Sequence, residues 1–454
     1  MLSREKNELL TRVGPGTPMG NLLRRYWHPV APAGELRDQP VKPVRLLGED
    51  LVLYRDRDGA HGLVERSCPH RRADLSQGWV ERRGIRCAYH GWAFDETGAC
   101  LEQPFEDTVD PEGRFRRKVR TTAYPTTELG GLIWAYLGPA PAPLLPRFEP
   151  FTWDRGFVQV VLSEIDCNWF QCQENSIDPV HFEWLHVNRS ATQRRPDGDA
   201  AFGPRHVELT FDEFEFGFVC GRRTEDRADG SGLPWASVRT RPQSAGLVCL
   251  WPNALFTGNH FEWRVPVDDT KTLIITWWYS PRPTDLGPLV QDPVPYWYGP
   301  VLDPATARPL DRRPLNQDFA AWLGQGVIAD RTVERLGRSD AGVIMLRQRF
   351  LDELGRLERG ERLMGLRERD EGSPDTAVEL PVHDRGRYAL GVGREDFEAD
   401  LAAKRKRFPD GSYYSFQEGQ PAHVRRAYEE AMGIGPETPG VPFQGFFRRP
   451  QEPS

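Results

Sequence analysis

The sequence lacks any apolar stretch long enough to cross a membrane. Its best candidate, residues 131–145, is interrupted by a glycine and three prolines, whereas a membrane helix needs roughly 18 apolar residues in succession. Residues 1–6 include three charged side chains, where a signal peptide needs an apolar run. These absences predict a cytoplasmic protein that makes no contact with membranes.

Positive charge and cysteine are also scarce. The 454 residues include 59 Lys and Arg against 66 Asp and Glu, a net charge of −7, and an acidic chain disfavours nucleic-acid binding. Seven cysteines, an odd number in a chain long enough to bury a full core, argue against a disulfide framework. The dinucleotide fingerprint is missing, because Gly391-Val392-Gly393 lacks the third glycine. The chain is therefore expected not to accept a hydride itself.

Glycine and proline are abundant instead, with 43 and 40 residues, which favours turns and β structure over a helix bundle. Alternating apolar and polar residues in 43–56 predict a β-hairpin, and 61–65 and 131–137 predict further strands. We therefore expect a small all-β domain over residues 40–140, which ends within the stiff Gly/Pro segment 138–143.

The rest of the sequence predicts a larger domain, residues 141–454, with an antiparallel sheet flanked by helices, so the fold class is α+β. Its predicted strands are 157–165, 206–220, 247–251, 261–265 and 272–279. Helices are predicted within 167–185 and over the amphipathic stretch 340–357. Residues after about 358 are charged and irregular and are assigned no chemistry. Residues 1–39 are expected to pack against this larger domain.

The first group of chemically informative residues combines two cysteines with two histidines. Cys68 and His70 form a C-x-H pair, and Cys87 and His90 form a C-x-x-H pair, with 16 residues, 71–86, between the pairs. Zinc would accept these four ligands, but zinc sites usually pair like with like at short spacing. Each segment here supplies one Cys and one His, which suits two adjacent irons, as in a Rieske [2Fe–2S] cluster with Cys on one iron and His on the other.

The residues around these pairs extend this interpretation. The strings C-P-H-R at 68–71 and Y-H-G-W at 89–92 resemble the cluster-binding loops of the Rieske family. That resemblance implies a [2Fe–2S] cluster bound by the four residues. The other cysteines are interpreted as buried thiols without a metal role: Cys100, Cys167, Cys172, Cys220 and Cys249.

A second group of polar residues lies between aromatic side chains in 168–186. Asn175, Asp178 and His181 are spaced by three residues and would share one face of a helix. His186 comes five residues after His181, roughly 140° away on a regular helix, so the helix must end or distort between them, and Pro179 is a plausible cause. Two His and one carboxylate with open positions suit a mononuclear iron.

Together these motifs resemble the terminal oxygenase subunits of Rieske non-haem iron aromatic-ring hydroxylating oxygenases, and their phthalate dioxygenase-like branch in particular. The pattern N-x-x-D-x-x-H-x-x-x-x-H is matched at every defined position, and residues 9–20, 265–270 and 330–340 look like that branch. The resemblance implies that His181 and His186 bind Fe(II) together with an aspartate from a later helix. Asp318 resembles that ligand best, and the alternatives are Asp311, Asp330, Glu334 and Asp340.

The resemblance also implies an activity and its partners. A reductase of the flavin or ferredoxin type would pass electrons from NAD(P)H to the cluster, and the iron would use O2 to hydroxylate a small aromatic substrate. An aromatic carboxylate could pair with Arg205, Arg239 or Arg241, although surface positions are the alternative for each. A vanillate-type monooxygenase or O-demethylase shares the same motifs. A pure electron-transfer Rieske protein would leave Asp178 and the His181–His186 pair without a role.

Members of the family assemble head to tail as trimers, or as stacked hexamers. The resemblance therefore predicts a homo-oligomer in which the cluster of one chain lies beside the iron of the next. Asp178, predicted on the same helical face as His181, would connect His90 of one subunit to His181 of its neighbour. Asn175 is placed with Asp178 in the predicted catalytic group.

Overall fold

The computed structural model describes residues 1–194, 205–224, 247–368, 375–381, 385–407 and 415–435, together with residue 373. Within these residues, no helix is both long enough and apolar enough to span a membrane. The chain begins with α1 (Arg4–Thr11), α2 (Pro18–Leu23), β1 (Trp27–Pro32) and α3 (Glu35–Asp38). Ser3 and Thr17 cap α1 and α2 by accepting backbone N–H groups, which explains where both helices start.

The next part of the chain is mainly β structure. It contains β2 (Val41–Leu46), β3 (Glu49–Arg55), β4 (His61–Glu65), β5 (Trp79–Val80), β6 (Ile85–Arg86), β7 (Ala93–Phe94), β8 (Cys100–Glu102), α4 (Glu106–Val109), β9 (Ala123–Tyr124), β10 (Thr126–Leu129) and β11 (Leu132–Tyr136). One antiparallel sheet has the order β2-β3-β4-β9 and a second has the order β5-β6-β7-β8. A third sheet, β1-β11-β10, joins the N-terminal strand to this part. The predicted hairpin and strands are confirmed.

The larger part of the chain is built on an eight-stranded sheet. Its elements are β12 (Gly156–Ile165), α5 (Trp169–Asn175), a π-helix (Phe182–Asn188), α6 (Arg189–Arg194), β13 (His206–Phe214), β14 (Gly217–Thr224), β15 (Leu247–Leu250), β16 (Ala254–Phe256), β17 (His260–Pro266), β18 (Thr272–Pro281), β19 (Tyr296–Tyr298), α7 (Pro314–Gly324), α8 (Ala341–Glu358), α9 (Arg385–Leu390), α10 (Arg394–Arg407) and α11 (Ala422–Ala431). The strand order is β13-β14-β15-β16-β17-β18-β12-β19. Every pairing is antiparallel except that of β12 with β19.

The two faces of this sheet pack against different layers. In β17, Phe261, Trp263 and Val265 join the main apolar core. The alternate residues His260, Glu262 and Arg264 point to the other face, because side chains alternate along a strand. On that face, Arg264 Nε donates to Cys172 O of α5 at 3.4 Å.

Two predictions about this part were wrong. Residues 206–220 are not one strand but the hairpin β13–β14, because the chain reverses between Phe214 and Gly217. Gly217 has φ 140°, and a Cβ there would lie 2.1 Å from Cys249 O, so the turn needs glycine. The region after 358 is not irregular throughout, since it contributes α9, α10 and α11. Apolar residues of α10 and α11 pack in one cluster with Phe157.

Candidate metal centres

Two tight loops carry the Cys-His pairs, one between β4 and β5 and the other between β6 and β7. Cys68 N–H donates to Ala73 O at 2.8 Å, and Cys87 N–H donates to Trp92 O at 2.9 Å. Gly91 has φ 74°, in the left-handed region that favours glycine, and it closes the second loop. Backbone hydrogen bonds therefore fix the position of both cysteines.

Like residues pair in space although they alternate along the sequence. The imidazoles of His70 and His90 lie 4.5 Å apart between ring centroids. The thiols of Cys68 and Cys87 interact with each other and are 2% exposed, and burial raises the pKa of Cys68 to about 12. His70 Nδ1 is buried and has no hydrogen-bond partner in the part of the chain that the structure describes. A thiol pair beside an imidazole pair suits a [2Fe–2S] cluster, in which each pair binds one of the two irons. It suits a single zinc with four ligands less well.

Neighbouring side chains hold these loops together. The ring of His70 stacks on Trp92, with centroids 4.2 Å apart and planes 6° from parallel. Arg86 donates to Gly91 O at 2.6 Å and also pairs with Glu81 at 2.7 Å. These contacts restrict the orientation of the imidazole and of the loop that carries Cys87 and His90.

A second centre forms where a π-helix follows α5. The α-helix ends at Asn175, a turn containing Pro179 follows, and His181 precedes the π-helix. The wider turn of a π-helix brings residues five apart to one side, which supplies the distortion expected from the spacing of the two histidines. Ligand atoms of His181, His186 and Asp318 lie within 4.8 Å of one another.

Polar neighbours orient these three side chains. His186 Nδ1 and Gln317 Oε1 are 3.0 Å apart, which leaves His186 Nε2 facing Asp318 at 3.4 Å. Asn175 Nδ2 donates to Asp318 Oδ1 at 3.2 Å. Burial lowers the pKa of His186, but Asp318, Gln317 and the charge of Glu262 raise it more, so the net direction is upward. This surplus of negative charge favours a cation at the centre, and two imidazoles with one carboxylate are a donor set suited to non-haem iron.

Asp178 lies beside this group. Its Oδ1 accepts the Val180 N–H at 2.9 Å, and its Oδ2 is 3.5 Å from His181 Nδ1. Burial raises the pKa of Asp178, but contact with His181 lowers it more, so the carboxyl group is ionised. The side chain is 32% exposed, so its carboxylate can also reach a group outside this chain.

The other acids considered as a third ligand are engaged elsewhere. Their partners are Arg189 for Asp311, Thr332 for Asp330, Arg347 for Glu334 and Gly337 for Asp340.

Of the arginines considered for a substrate carboxylate, Arg205 is exposed, whereas Arg239 and Arg241 lie outside the described residues. The remaining cysteines are buried, except for Cys100, which is partly exposed.

Gln317 and Glu262 are neighbours of the second centre that sequence reasoning missed. Gln317 directly precedes Asp318, but nothing in its local pattern marks it. A pattern could have indicated Glu262. Glu262 and Arg264 are charged residues that alternate with apolar ones, and the strand that carries them is wholly buried. A buried charged residue requires a partner, and here that rule points to the face beside the metal centre.

Comparison with known proteins covers the segments that carry the candidate residues of both centres. Residues 26–121 match the Rieske [2Fe–2S] domain family, and residues 313–378 match the family described as LigXa C-terminal domain like. The first match contains both Cys-His loops, and the second contains Asp318. The oxygenase of carbazole 1,9a-dioxygenase, solved with its ferredoxin, has the same fold, with a TM-score of 0.52, 18% identity, and coverage of 76% of this chain and 90% of that one.

Two curated relatives match over most of their length. The 5,5′-dehydrodivanillate O-demethylase oxygenase subunit of Sphingobium sp. (strain NBRC 103272 / SYK-6) is 48% identical over 440 residues, 97% of this chain and 99% of the relative. The phthalate 4,5-dioxygenase oxygenase subunit of Pseudomonas putida is 36% identical over 408 residues, 81% of this chain and 90% of the relative. The chain belongs to the Rieske non-haem iron oxygenases, enzymes that combine a [2Fe–2S] cluster with a mononuclear iron.

Proposed function

We propose that this chain is the oxygenase subunit of an aryl-ether O-demethylase, which removes a methyl group from a methoxylated aromatic compound. The observation that carries this proposal is the 48% identity, over 97% of the chain, to an O-demethylase oxygenase subunit. Ring hydroxylation of an aromatic acid is the second candidate, and it is supported by the 36% identity to a phthalate dioxygenase subunit.

In this proposal each residue of the two centres has a role. Cys68, Cys87, His70 and His90 bind the cluster, and His181, His186 and Asp318 bind Fe(II). The iron, when bound, activates O2 with electrons from the cluster. Asn175 and Gln317 orient the carboxylate and one imidazole through the hydrogen bonds described above.

The reaction balances with two electrons. An aryl methyl ether, O2, two protons and two electrons give a phenol, formaldehyde and water. A separate reductase of the flavin or ferredoxin type would supply the electrons from NAD(P)H, since the chain has no dinucleotide fingerprint of its own. A cytoplasmic location, where NAD(P)H is available, is part of the proposal.

We also propose that electrons pass between subunits of a homotrimer, from His90 of one chain through Asp178 of the next to His181. Three observations support this route. The Asp178 carboxylate lies beside His181 and is partly exposed. His90 is partly exposed and packs against Tyr89, which is 57% exposed. Phe115, which packs on Trp92, is 48% exposed, so the cluster end of the chain presents apolar surface suited to a neighbouring subunit.

The proposed activity can be tested by single turnover, without knowledge of the reductase. The purified holoenzyme is reduced with dithionite, freed of reductant, and mixed with O2 and either 4-hydroxy-3-methoxybenzoate or phthalate. Formaldehyde formed with the methoxylated acid supports O-demethylation. A dihydrodiol from phthalate without formaldehyde from the ether would contradict it and favour the dioxygenase.

A further inference from the structure

Four polar side chains form a patch on the face of the large sheet that carries Arg264. His260 and Glu262 come from β17, and Thr276 and Trp278 come from β18. The register pairs Thr276 with Glu262 and Trp278 with His260. Residues two apart on a strand share a face, so the four side chains form two adjacent rows, which we call the polar patch.

The β17 row of the polar patch satisfies its own polar atoms. Glu262 Oε1 is 2.9 Å from His260 Nε2, and Glu262 Oε2 is 2.8 Å from the guanidinium of Arg264. His260 Nδ1 is also 2.7 Å from Thr257 Oγ1. The carboxylate of Glu262 is therefore held in a fixed position by its two partners.

The β18 row, by contrast, has unpartnered polar atoms. Thr276 Oγ1 and Trp278 Nε1 are buried and have no hydrogen-bond partner among the described residues. Their residues are only 3% and 9% exposed. A buried donor or acceptor without a partner has lost its hydrogen bonds to water without compensation, so two such atoms on one face of β18 indicate a ligand that completes them.

The polar patch lies next to the iron centre. Glu262 pairs with Arg264, and Arg264 Nε donates to Cys172 O of α5, the helix that precedes the proposed iron-binding turn. The ring of Phe416 packs on Trp278 and His260, with centroids 4.4 and 5.1 Å away. The carbonyl of Phe416 accepts the Leu315 N–H at 3.3 Å, at the start of the helix α7 that carries Asp318. Phe416 thus connects the patch to the helix that bears a proposed iron ligand.

We infer that Thr276 Oγ1 and Trp278 Nε1 bind a hydroxyl group on the aromatic ring of the substrate, and so make the enzyme specific for phenolic methyl ethers. This inference rests on the proposed O-demethylation. The indole N–H can only donate, whereas the threonine hydroxyl can donate and accept. A phenol matches this pair, since its oxygen accepts from Trp278 and its O–H donates to Thr276.

A carboxylate fits the polar patch less well than a phenol. It could accept from Trp278 and Thr276 but would lie beside the Glu262 carboxylate, where like charges repel. Binding the hydroxyl at the polar patch would fix the ring and so present the neighbouring methoxy group to the iron. The two residues are thus specificity-determining residues and not iron ligands.

The test compares two probes, 4-hydroxy-3-methoxybenzoate and 3-methoxybenzoate, which differ only in the hydroxyl group. Trp278→Phe removes the N–H but keeps an aromatic ring, and Thr276→Val removes the hydroxyl but keeps the shape. We expect each variant to lower kcat/KM for the hydroxylated probe about tenfold, the loss of one hydrogen bond, mainly through KM. The value for 3-methoxybenzoate should fall much less, so the ratio of the kcat/KM values for the two probes should decrease.

Matched variants separate this role from a structural one. Trp297 is also a buried tryptophan of the large sheet, but its Nε1 already donates to Gln159 Oε1 at 3.0 Å. Trp297→Phe should leave the ratio of kcat/KM values for the two probes unchanged. Thr276→Ser should keep the preference that Thr276→Val loses. Thr276→Ser and Trp278→Phe still test the inference if Thr276→Val does not fold.

Binding and turnover distinguish the failure of this inference from that of the proposed function. Isothermal titration of both probes measures the hydroxyl preference without turnover. Formaldehyde from both probes at equal kcat/KM, with no preference in binding, would overturn the inference and leave O-demethylation standing. A preference in binding that Trp278→Phe removes, without formaldehyde from either probe, would support the binding site and overturn O-demethylation.

Discussion

At the scale of single side chains, three of the four imidazoles at the two candidate metal centres have an orienting neighbour. His186 contacts Gln317, His181 faces Asp178, and His70 stacks on a tryptophan. Such contacts select the ring nitrogen that faces a metal and restrict ring rotation. Metal binding at either centre should therefore depend on few residues, which can be tested one by one.

Cys87→Ser should remove the Rieske cluster. Serine lacks the thiolate that iron needs, and the buried position, 2% exposed, leaves no space for another ligand. Visible absorption and electron paramagnetic resonance measure the loss. Cys100→Ser is the matched control, because Cys100 is a nearby cysteine that is only partly buried and should be dispensable. A brown Cys87→Ser protein with an unchanged spectrum would show that this cysteine is not a ligand.

Asp318→Ala should remove the mononuclear iron and leave the cluster in place. The expected iron content falls from about three to about two per chain, since the cluster accounts for two, and turnover is lost. Metal analysis alongside the Rieske spectrum measures both centres. Asp311→Ala is the control, because Asp311 pairs with Arg189 at a partly exposed site. Full iron content in Asp318→Ala would mean that another acid completes the site.

At the scale of elements, a buried group of charges anchors α5. Glu174, at the end of this helix, pairs with Arg331 at 2.7 Å and with Arg347 of α8 at 2.6 Å. Arg347 also pairs with Glu334. The group therefore links α5, the segment after α7, and α8, and it supports the helix that precedes the proposed iron-binding turn.

Glu174→Gln should destabilise the fold by about 3–5 kcal/mol, because it leaves two buried guanidinium groups with less negative charge. Burial raises the pKa of Glu174, but Arg331 and Arg347 lower it more, so the net direction is downward. A depressed carboxyl pKa contributes stability above the unfolded-state pKa of about 4.3. That contribution is lost as the pH falls through the folded-state value.

Urea unfolding of both proteins at pH 7 and at acid pH measures this effect. The difference between wild type and Glu174→Gln should be largest at pH 7 and should narrow below about pH 4. Glu361→Gln, which changes an exposed pair with Arg359, should leave the unfolding midpoint unchanged. A difference that grows toward low pH would contradict the assigned charge state of Glu174.

At the scale of the whole molecule, the cluster and the iron occupy different parts of the chain. The proposed cluster loops belong to the small β sheets, and the proposed iron ligands lie on helices packed against the eight-stranded sheet. Electron delivery therefore depends on how these parts meet, within one chain or between chains. The proposed route through Asp178 makes the assembly part of the active enzyme.

Asp178→Asn should keep both metals and the trimer while slowing electron transfer to the iron. Asparagine has a similar shape, but it lacks the negatively charged carboxylate whose oxygens accept hydrogen bonds from two imidazoles. Stopped-flow oxidation of pre-reduced cluster, with substrate and O2 present, measures this step, and analytical ultracentrifugation measures the assembly. An unchanged rate, or full activity in a monomer, would exclude the proposed route.

Much of this fold and of the candidate site can be predicted from residues that lie close together in the sequence. The spacing of Cys68 to His70 and of Cys87 to His90 indicated the cluster, because each loop is short and its backbone hydrogen bonds are local. The five-residue spacing of His181 and His186 required a departure from the α-helix, and the π-helix supplies it. The alternating pattern of residues 43–56 predicted a hairpin. The two strands of a hairpin are adjacent in sequence, so the pattern of that segment alone indicates how they pair.

Tertiary structure decided what lies far apart in sequence. Asp318 and Gln317 reach the histidines only because α7 packs beside the π-helix. The family resemblance favoured Asp318 among the acids of that region, but nothing in the local sequence marked Gln317. The polar patch exists because β17 and β18 pair in one register, and a shift of one residue would turn its side chains to the opposite face. The sequence by itself determined the metal chemistry, since ligand type and spacing are local, whereas packing and register decided which distant side chains surround the metal.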